Sequence, residues 1–188
     1  TDLPFTRMLS GPMDYTTGIF QLNNFRYDSP ETKNIDKGAI VPSTIGKELA
    51  LYVVYYSPMQ MAADLPKHYS KHMDAFAFIK NVPVDWSERK ILNSEFREYV
   101  SMARKDKYSE NWYVGGITNE NERELEIDFS FLESGKEYTM KMYLDTQNTH
   151  WKENPMEYQI TEREVSSNDN INIYLAPGGG FALEIVAK

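Results

Sequence analysis

Three polar residues near the start of the chain have the types and spacing that could bind a sugar. The segment LPFTRMLSGPMDYTTG occupies positions 3–18, and its apolar beginning predicts a short strand that carries Arg7. A Gly-Pro turn follows this strand and presents Asp14 and Tyr15. In a barrel of alternating strands and helices, the loops after the strands form the rim of the active site. We therefore predict that Arg7, Asp14 and Tyr15 contact sugar hydroxyls.

The same residues also have a purely structural interpretation. Asp14 can form an Asx turn with its own backbone, and Arg7 can pair with a nearby carboxylate. The spacing of these residues leaves both interpretations open.

A second candidate site consists of Asp64, His68 and His72, which stand four residues apart. On a continuous helix this spacing would bring two histidines and one carboxylate to one face, as some metal sites require. Pro66 lies between the first two residues and interrupts such a helix. A lysine also precedes each histidine and repels a cation. We therefore favour a solvent-exposed helix face and predict no metal ligands in this chain.

Two further segments lack the spacing that binds a ligand. The glutamates between Glu120 and Glu126 do not follow the Asp-x-Asp-x-Asp-Gly pattern of a calcium loop, so they predict the solvent face of a hairpin. The glycine run Pro177–Gly180 precedes a strand, which predicts a turn and not a phosphate-binding loop. No nucleophile motif accompanies the three histidines, so no catalytic set is complete.

The composition excludes several classes of protein. The 188 residues include 20 Lys and Arg against 28 Asp and Glu, a net charge of −8, which argues against a nucleic-acid partner. There are 0 cysteines, which excludes disulfides, thiol catalysis and cysteine-ligated zinc. No apolar run reaches the ~20 residues that cross a bilayer, so we predict no membrane span.

The first eighty or so residues have the pattern of an α/β unit. Ile45, Leu49 and Val53 follow helical spacing, with Ser43 or Thr44 as the N-cap. The apolar run at 59–64 predicts a short buried strand, and residues 68–78 predict a second helix. This order is typical of parallel strands covered by helices.

After Pro83 the apolar residues alternate with polar ones, as in half-buried strands. Six segments show this period of two, at residues 99–104, 112–118, 125–131, 138–144, 171–175 and 181–185. Turn sequences separate several of them, such as Glu133-Ser134-Gly135-Lys136. Six or seven strands, each with one solvent-exposed face, predict an antiparallel sheet or sandwich.

The two halves together predict an α+β chain with two domains. One or two βα units cannot form a closed layer, so residues 1–82 are expected to be the end of a larger βα barrel that begins upstream. Residues 83–188 are expected to form an autonomous antiparallel β-sandwich domain. Their inward side chains should include Leu125, Ile127, Phe129, Phe131, Met140, Met142, Ile173 and Leu183.

Several sequence blocks resemble glycoside hydrolase family 97. They follow one another along nearly the whole chain and include positions 3–16, 49–64, 81–86, 103–105, 111–115, 131–132 and 175–182. One departure is Thr17, where the family usually has a proline. This change should loosen the loop without altering its polar groups.

The resemblance implies an exo-acting α-glucosidase or α-galactosidase in the periplasm. The family combines an N-terminal β-supersandwich, a central (β/α)8 barrel and a C-terminal β-sheet domain, so residues 1–82 would be the last part of the (β/α)8 barrel. Its inverting members use glutamates as catalytic acid and base, with a calcium ion near the substrate. No glutamate motif of this kind matches the chain, so we expect the catalytic residues and the calcium ligands upstream of Thr1. The segment alone should bind no calcium and be inactive, and its partners should be the N-terminal remainder and an oligosaccharide substrate.

The alternative function is a non-catalytic carbohydrate-binding module. Trp112, Tyr113 and Trp151 would then lie exposed on the β half and stack on sugar rings. Against this, large aromatic residues more often pack cores and interfaces, so we expect Trp86, Trp112 and Trp151 to pack inside the sandwich or at its contact with the barrel. A third possibility is a purely structural domain, and the short connection at 82–86 favours a fixed position over a mobile one.

Overall fold

A six-stranded antiparallel sheet forms the middle layer of the structure, a computed structural model that describes residues 1–23 and 40–188. The order of its strands is β1-β2-β3-β8-β5-β6, and a second sheet consists of β4 and β7. The strands are β1 (Trp86–Glu95), β2 (Tyr99–Asp106), β3 (Trp112–Thr118), β4 (Arg123–Asp128), β5 (Tyr138–Leu144), β6 (Gln159–Val165), β7 (Asn170–Leu175) and β8 (Gly180–Ala187). The predicted antiparallel β architecture is confirmed.

The alternation of side chains along each strand gives the central sheet two different buried faces. On β3, Trp112 and Val114 point toward the two-stranded sheet, whereas Tyr113 and Ile117 point toward the helices. The sheet is therefore covered on both sides, which explains why β3 is buried along its whole length.

The two-stranded sheet covers one face of the central sheet with apolar side chains. Leu125 pairs with Ile173 and Ile127 with Ile171, and the glutamates between them on β4 face solvent. All the predicted inward residues are buried except Phe131, which is half-buried. The predicted turns before β5 and β8 are also present, with Gly135 at a φ of 79° and Gly178 at 67°.

Three helices lie on the other face: α1 (Ile45–Val54), α2 (Pro66–Tyr69) and α3 (Met73–Asn81). The predicted cap of α1 is present, since the Lys47 N–H donates to the Thr44 hydroxyl over 3.1 Å. Helix α1 lies across β3 and β8 and is buried on nearly all sides. No helix of the described residues is long and apolar enough to span a membrane.

The predictions for the segments around α1 are partly wrong. Arg7 lies in a 3-10 helix, Arg7–Ser10, and not in a strand. Residues 59–64 are largely exposed and make only an isolated parallel bridge, from Ala62 to Thr17. A strand needs a neighbour for its backbone groups, and the described residues supply only this one bridge. The predicted second helix is divided into α2 and α3 at Ser70 to His72.

Residues on both sides of the expected boundary at 82/83 share one hydrophobic cluster. Leu49 and Val53 of α1 and Phe78 of α3 pack together with Tyr113 and Ile117 of β3. The helices and the central sheet are therefore in direct apolar contact.

A buried carboxylate helps to join α1 to this sheet. Asp145 follows β5 and is 2% exposed, and its Oδ2 accepts the N–H of Gly180 over 2.8 Å and that of Ala176 over 3.2 Å. Its Oδ1 has no hydrogen-bond partner among the described residues. Burial raises the pKa of Asp145 to about 7.

We expect Asp145 to make the fold less stable as the pH rises from about 4 to about 7. Over this range the unfolded chain has released the Asp145 proton, whereas the folded chain still holds it, so folding takes up a proton. Urea unfolding at pH 5 and pH 7.5 should show a smaller loss of stability in Asp145→Asn than in the wild-type chain. Equal losses in both proteins would contradict the buried, protonated state of Asp145.

Candidate functional site

The backbone at 17–21 is held from one side by a glutamate of α1. Glu48 is 5% exposed, and its Oε2 accepts the N–H groups of Gly18 over 2.9 Å and of Ile19 over 3.2 Å. The Thr17 hydroxyl lies 3.2 Å from the same oxygen. A buried carboxylate needs such donors to offset its lost hydration. Glu48 therefore fixes the course of the chain directly after the Thr17–Ala62 bridge.

Asp64 holds the next two residues from the other side. Its side chain is fully buried, and Oδ2 accepts the N–H groups of Phe20 over 2.9 Å and of Gln21 over 2.8 Å. Oδ1 accepts the Leu65 N–H over 2.7 Å and contacts His68 Nδ1. Burial alone would raise the Asp64 pKa, but these hydrogen bonds outweigh it and hold the pKa below its usual value. Asp64 is thus an anionic acceptor for backbone N–H groups.

The geometry of the second predicted cluster differs from a metal site. His68 contacts Asp64, whereas the Nδ1 of His72 lies 3.2 Å from the Tyr158 hydroxyl. In the parts of the chain that the structure describes, no three His, Asp or Glu residues could hold a metal ion together. The expected solvent-exposed face is wrong for Asp64, because its side chain is fully buried and accepts the N–H groups of Phe20 and Gln21.

Two tyrosine hydroxyls complete the support of this segment. Tyr52 Oη lies 2.9 Å from the Met61 carbonyl and 3.2 Å from the Thr17 carbonyl, so it spans the two sides of the parallel bridge. Tyr69 Oη donates to the Gly18 carbonyl over 2.7 Å and accepts the N–H of residue 64 over 2.8 Å. Burial raises the pKa of Tyr69 to about 12, so its hydroxyl stays protonated at neutral pH.

We call the side chains of Glu48, Asp64, Tyr52 and Tyr69 the loop clamp, because all four hold the backbone at 17–21. Gly18 has a φ of 88°, and a Cβ there would meet the Tyr52 hydroxyl at 2.4 Å, so only glycine fits. Both carboxylates are engaged by backbone donors. The loop clamp therefore positions a loop and has no free carboxylate for acid–base chemistry.

The three predicted sugar-binding residues precede the clamped segment. Arg7 donates to the carbonyls of Gly11 over 3.4 Å and Pro12 over 3.2 Å, so it supports its own turn and not a carboxylate. Asp14 is exposed, and Tyr15 is half-buried, edge-on to Tyr55 with ring centroids 4.9 Å apart. Burial, with a further contribution from the nearby Glu48, raises the pKa of Tyr15. Of the three, Asp14 is the residue most open to a ligand.

Trp112, Tyr113 and Trp151 do not form the predicted sugar-binding platform. Trp112 is 3% exposed and packs against Phe131, and Tyr113 is 4% exposed and packs between Phe78 and Trp86. Trp151 is half-buried and covers the turn at Gly178. The expectation of interior packing is confirmed for Trp112, whereas Trp86 is half-buried against Tyr113. The exposure that a binding module requires of Trp112 and Tyr113 is contradicted.

Sequence reasoning missed Glu48 and the role of Asp64. The available signal for Glu48 was a single acid within the apolar helix sequence IGKELALYVV. An acid at such a position needs buried donors, and here the donors come from a segment about 30 residues earlier.

Comparison with known proteins supports the resemblance from both sequence and structure. A family model described as "Glycosyl-hydrolase 97 C-terminal, oligomerisation" matches residues 85–186. The chain is 36% identical over 191 residues to a retaining alpha-galactosidase of Bacteroides thetaiotaomicron, which covers 97% of the chain and 26% of that protein. It is 28% identical over 182 residues to a probable retaining alpha-galactosidase of Streptomyces bingchenggensis, covering 97% of the chain and 25% of that protein. The chain therefore spans about a quarter of the length of these relatives.

Solved structures show the same relationship. A glycoside hydrolase family 97 enzyme of Pseudoalteromonas sp. strain K8, in complex with acarbose, superposes with a TM-score of 0.88 at 42% identity. The match covers 99% of the chain and 28% of that enzyme. A beta-arabinopyranosidase matches with a TM-score of 0.74 at 22% identity, which supports the fold alone.

Proposed function

Since the chain belongs to glycoside hydrolase family 97, we propose that it is part of an enzyme that hydrolyses α-glucosides or α-galactosides. Within that enzyme, residues 1–82 close a (β/α)8 barrel, and residues 83–188 support the barrel as a C-terminal β domain. The observation that carries this proposal is the parallel bridge Thr17–Ala62 with the loop clamp after it. Loops after parallel strands form the active-site rim of a barrel.

The packing of α1 supports the different roles proposed for residues 1–82 and residues 83–188. A barrel helix covers its strands with one face, and α1 also presents Ala50 and Val53 to Gly115 on β3. The match to the family model begins at residue 85, close to the proposed boundary at 82/83. A central sheet that contacts the last barrel helices would hold them in place while the loops on the rim bind substrate.

The catalytic carboxyl groups, in this proposal, lie outside the chain. Glycoside hydrolysis requires two carboxyl groups about 5–5.5 Å apart for retention or about 6.5–9.5 Å apart for inversion. Glu48 and Asp64 are the buried carboxylates of the loop clamp, and both are engaged by backbone N–H groups. The chain's own contribution is to position the loop, with Asp14 and Tyr15 near the substrate and Arg7 bracing the turn before them.

The calcium ion of the family does not fit the described residues. Calcium takes six to eight oxygen ligands, commonly from several carboxylates. Within residues 1–23 and 40–188, no group of three or more acidic residues or histidines could hold a metal. We assign calcium to the remainder of the enzyme, and we place the enzyme in the periplasm on the resemblance to its family.

The proposal is tested with p-nitrophenyl α-glucoside and p-nitrophenyl α-galactoside. The full-length protein should hydrolyse one of them with a kcat on the order of 1 s⁻¹ or more, and the chain alone should hydrolyse neither. Turnover by the chain alone would refute the upstream position of the catalytic carboxylates. A full-length protein that is inactive on both would refute the glycosidase proposal.

We expect Asp14→Asn to impair the full-length enzyme without affecting its stability. Asp14 is exposed, so its replacement costs little folding energy, whereas a lost charged hydrogen bond to substrate is worth about 1.5–3 kcal/mol. The kcat/KM should therefore fall about 10- to 100-fold, with an unchanged thermal midpoint. Asp128→Asn, exposed on the distant two-stranded sheet, is the matched control and should keep full activity. An equal kcat/KM for both variants would remove Asp14 from the substrate site.

A further inference from the structure

An apolar groove that contains two arginines lies between the first residues of the chain, the end of α1 and the β1–β2 hairpin. It has a volume of about 530 Å³, and its walls include Phe5, Met8, Leu9, Ile91 and Val100. Arg89 and Arg104 also line it, and among the described residues that line it none is acidic. The groove thus combines apolar walls with positive charge.

Arg104 is the buried charge of this groove. Its side chain is on a residue only 5% exposed, and Nε donates to the Val53 carbonyl at the end of α1 over 2.6 Å. The guanidinium lies 5.3 Å from the centre of the Tyr56 ring. Within the described parts of the chain, Arg104 forms no ion pair with a carboxylate. A buried cation normally has an anionic partner, because hydrogen bonds to neutral groups compensate only part of its lost hydration.

A second arginine adds positive charge beside Arg104. Arg89 stands directly opposite Arg104 in the β1–β2 register, and like charges in such a pair repel each other. Burial, followed by the Arg89 charge, lowers the pKa of Arg104 to about 10, so it stays cationic at neutral pH. The chain has 28 acidic and 20 basic residues, yet within residues 1–23 and 40–188 no acid lines the groove to neutralise this pair.

The rim of the groove indicates what kind of molecule would supply the anion. Leu9 is 78% exposed, Ile91 56% and Phe96 51%, and Phe96 contacts Phe5 edge-on. A small carboxylate would fill the groove and leave these side chains in water. A polypeptide segment would cover them as well, because its own apolar side chains can flank the acidic one.

We propose that the groove is the docking site for an Asp or Glu flanked by apolar side chains, carried by the remainder of the same enzyme. This inference rests on the proposed function, in which the chain is one part of a protein whose relatives are nearly four times as long. The carboxylate pairs with the guanidinium of Arg104, and a planar guanidinium favours two parallel hydrogen bonds. Leu9 and Ile91 pack on the flanking residues.

The test compares the thermal effect of Arg104→Met in the chain alone and in the full-length protein. Any cost of losing the hydrogen bond to Val53 is common to both proteins. Only the full-length protein would also be left with an unpaired buried carboxylate, so its thermal midpoint should fall by several degrees more. Lys90→Met, on the neighbouring exposed position of β1, should have the same small effect in both.

Three results would overturn the proposal. One is an equal effect of Arg104→Met in both proteins. Another is a rise in the chain's own midpoint with millimolar hexanoate that Arg104→Met abolishes, which would assign the groove to a free carboxylate. The third is a dimer of the chain that Arg104→Met dissociates, which would assign the groove to a second copy.

Photo-crosslinking identifies the occupant directly. A photoreactive residue at position 91 of the full-length protein should crosslink to an Asp- or Glu-containing peptide outside the 188-residue sequence. A crosslink to residues 24–39 would instead overturn the proposal. Neither experiment uses a substrate, so a full-length protein that hydrolyses no glycoside would refute the proposed function and leave this test intact.

Discussion

Replacing Gly115 with alanine should destabilise the chain by about 3 kcal/mol, because α1 and β3 approach each other too closely for a methyl group. A Cβ at this position would lie 2.6 Å from the Ala50 carbonyl oxygen and 3.0 Å from the Val53 Cβ. The first of these is a backbone atom, which a rotamer change cannot move. Helix α1 would have to shift away from the sheet, and the core packed around Leu49 and Val53 would loosen.

The measurement is urea unfolding of the chain, with Gly135→Ala as the matched control. Gly135 has a φ of +79° and nothing within 4 Å of its Cβ position, so alanine there has backbone strain without a clash. Its cost should be about 1–2 kcal/mol, which is the usual penalty of a left-handed backbone. Equal costs for the two variants would mean that the contact between α1 and β3 is looser than the structure shows.

Glu48→Ala should have a comparable effect on stability and a larger one on activity. The substitution leaves the N–H groups of Gly18 and Ile19 without their buried acceptor, whereas the Thr17 hydroxyl keeps the Glu48 backbone carbonyl. Each unsatisfied group costs about 1–3 kcal/mol, so the total should reach about 3–5 kcal/mol. In the full-length enzyme the displaced loop would also misplace Asp14 and Tyr15, and kcat/KM should fall at least about 100-fold.

Two further variants separate this role from a general loss of packing. Glu48→Gln keeps an oxygen that can accept the same N–H groups, so it should recover most of the stability and activity. Glu124→Ala removes an exposed glutamate on β4 and should change stability by less than about 0.5 kcal/mol. If Glu48→Gln is as damaging as Glu48→Ala, the charge of Glu48 has a function beyond accepting these hydrogen bonds.

The strands with one buried face were predictable, whereas the two edge strands were not. The strands β4, β5 and β7 alternate more and less buried residues, and β8 alternates Phe181, Leu183 and Ile185 with Ala182 and Glu184 although both of its faces are covered. Edge strands β1 and β6 have the sequences WSERKILNSE and QITEREV, and most of their side chains are exposed or half-buried. Edge strands commonly carry charges that oppose pairing with other chains, which removes the alternation.

In the described first part of the chain, the helix α1 was predictable from the sequence, whereas the absence of strands was not. The helix α1 and its Thr44 cap follow from local spacing, and both are present. Whether the apolar segments at 3–9 and 59–64 become strands depends on neighbouring strands, which the described residues do not provide beyond one bridge. Local sequence contains no information about such neighbours.

The candidate site was predictable only in its location. The Gly-Pro turn indicated that Asp14 and Tyr15 follow a structural transition, and Asp14 is exposed there. The support of this loop depends on Glu48 and Asp64, whose partners lie 29 to 44 residues away in sequence. Pairings over such distances are set by tertiary structure, so no local motif could indicate them.

Amide hydrogen exchange of α1 tests the central claim most directly. The alternating strands predict an autonomous β domain, whereas the claim here is that α1, in the proposed barrel part, shares one cooperative core with β3 and β8. If so, the amides of Leu49 to Val53 should exchange only through global unfolding, at the same free energy as those of β3. Exchange of α1 at a clearly lower free energy, with β3 still protected, would contradict the claim and show that the β domain folds without it.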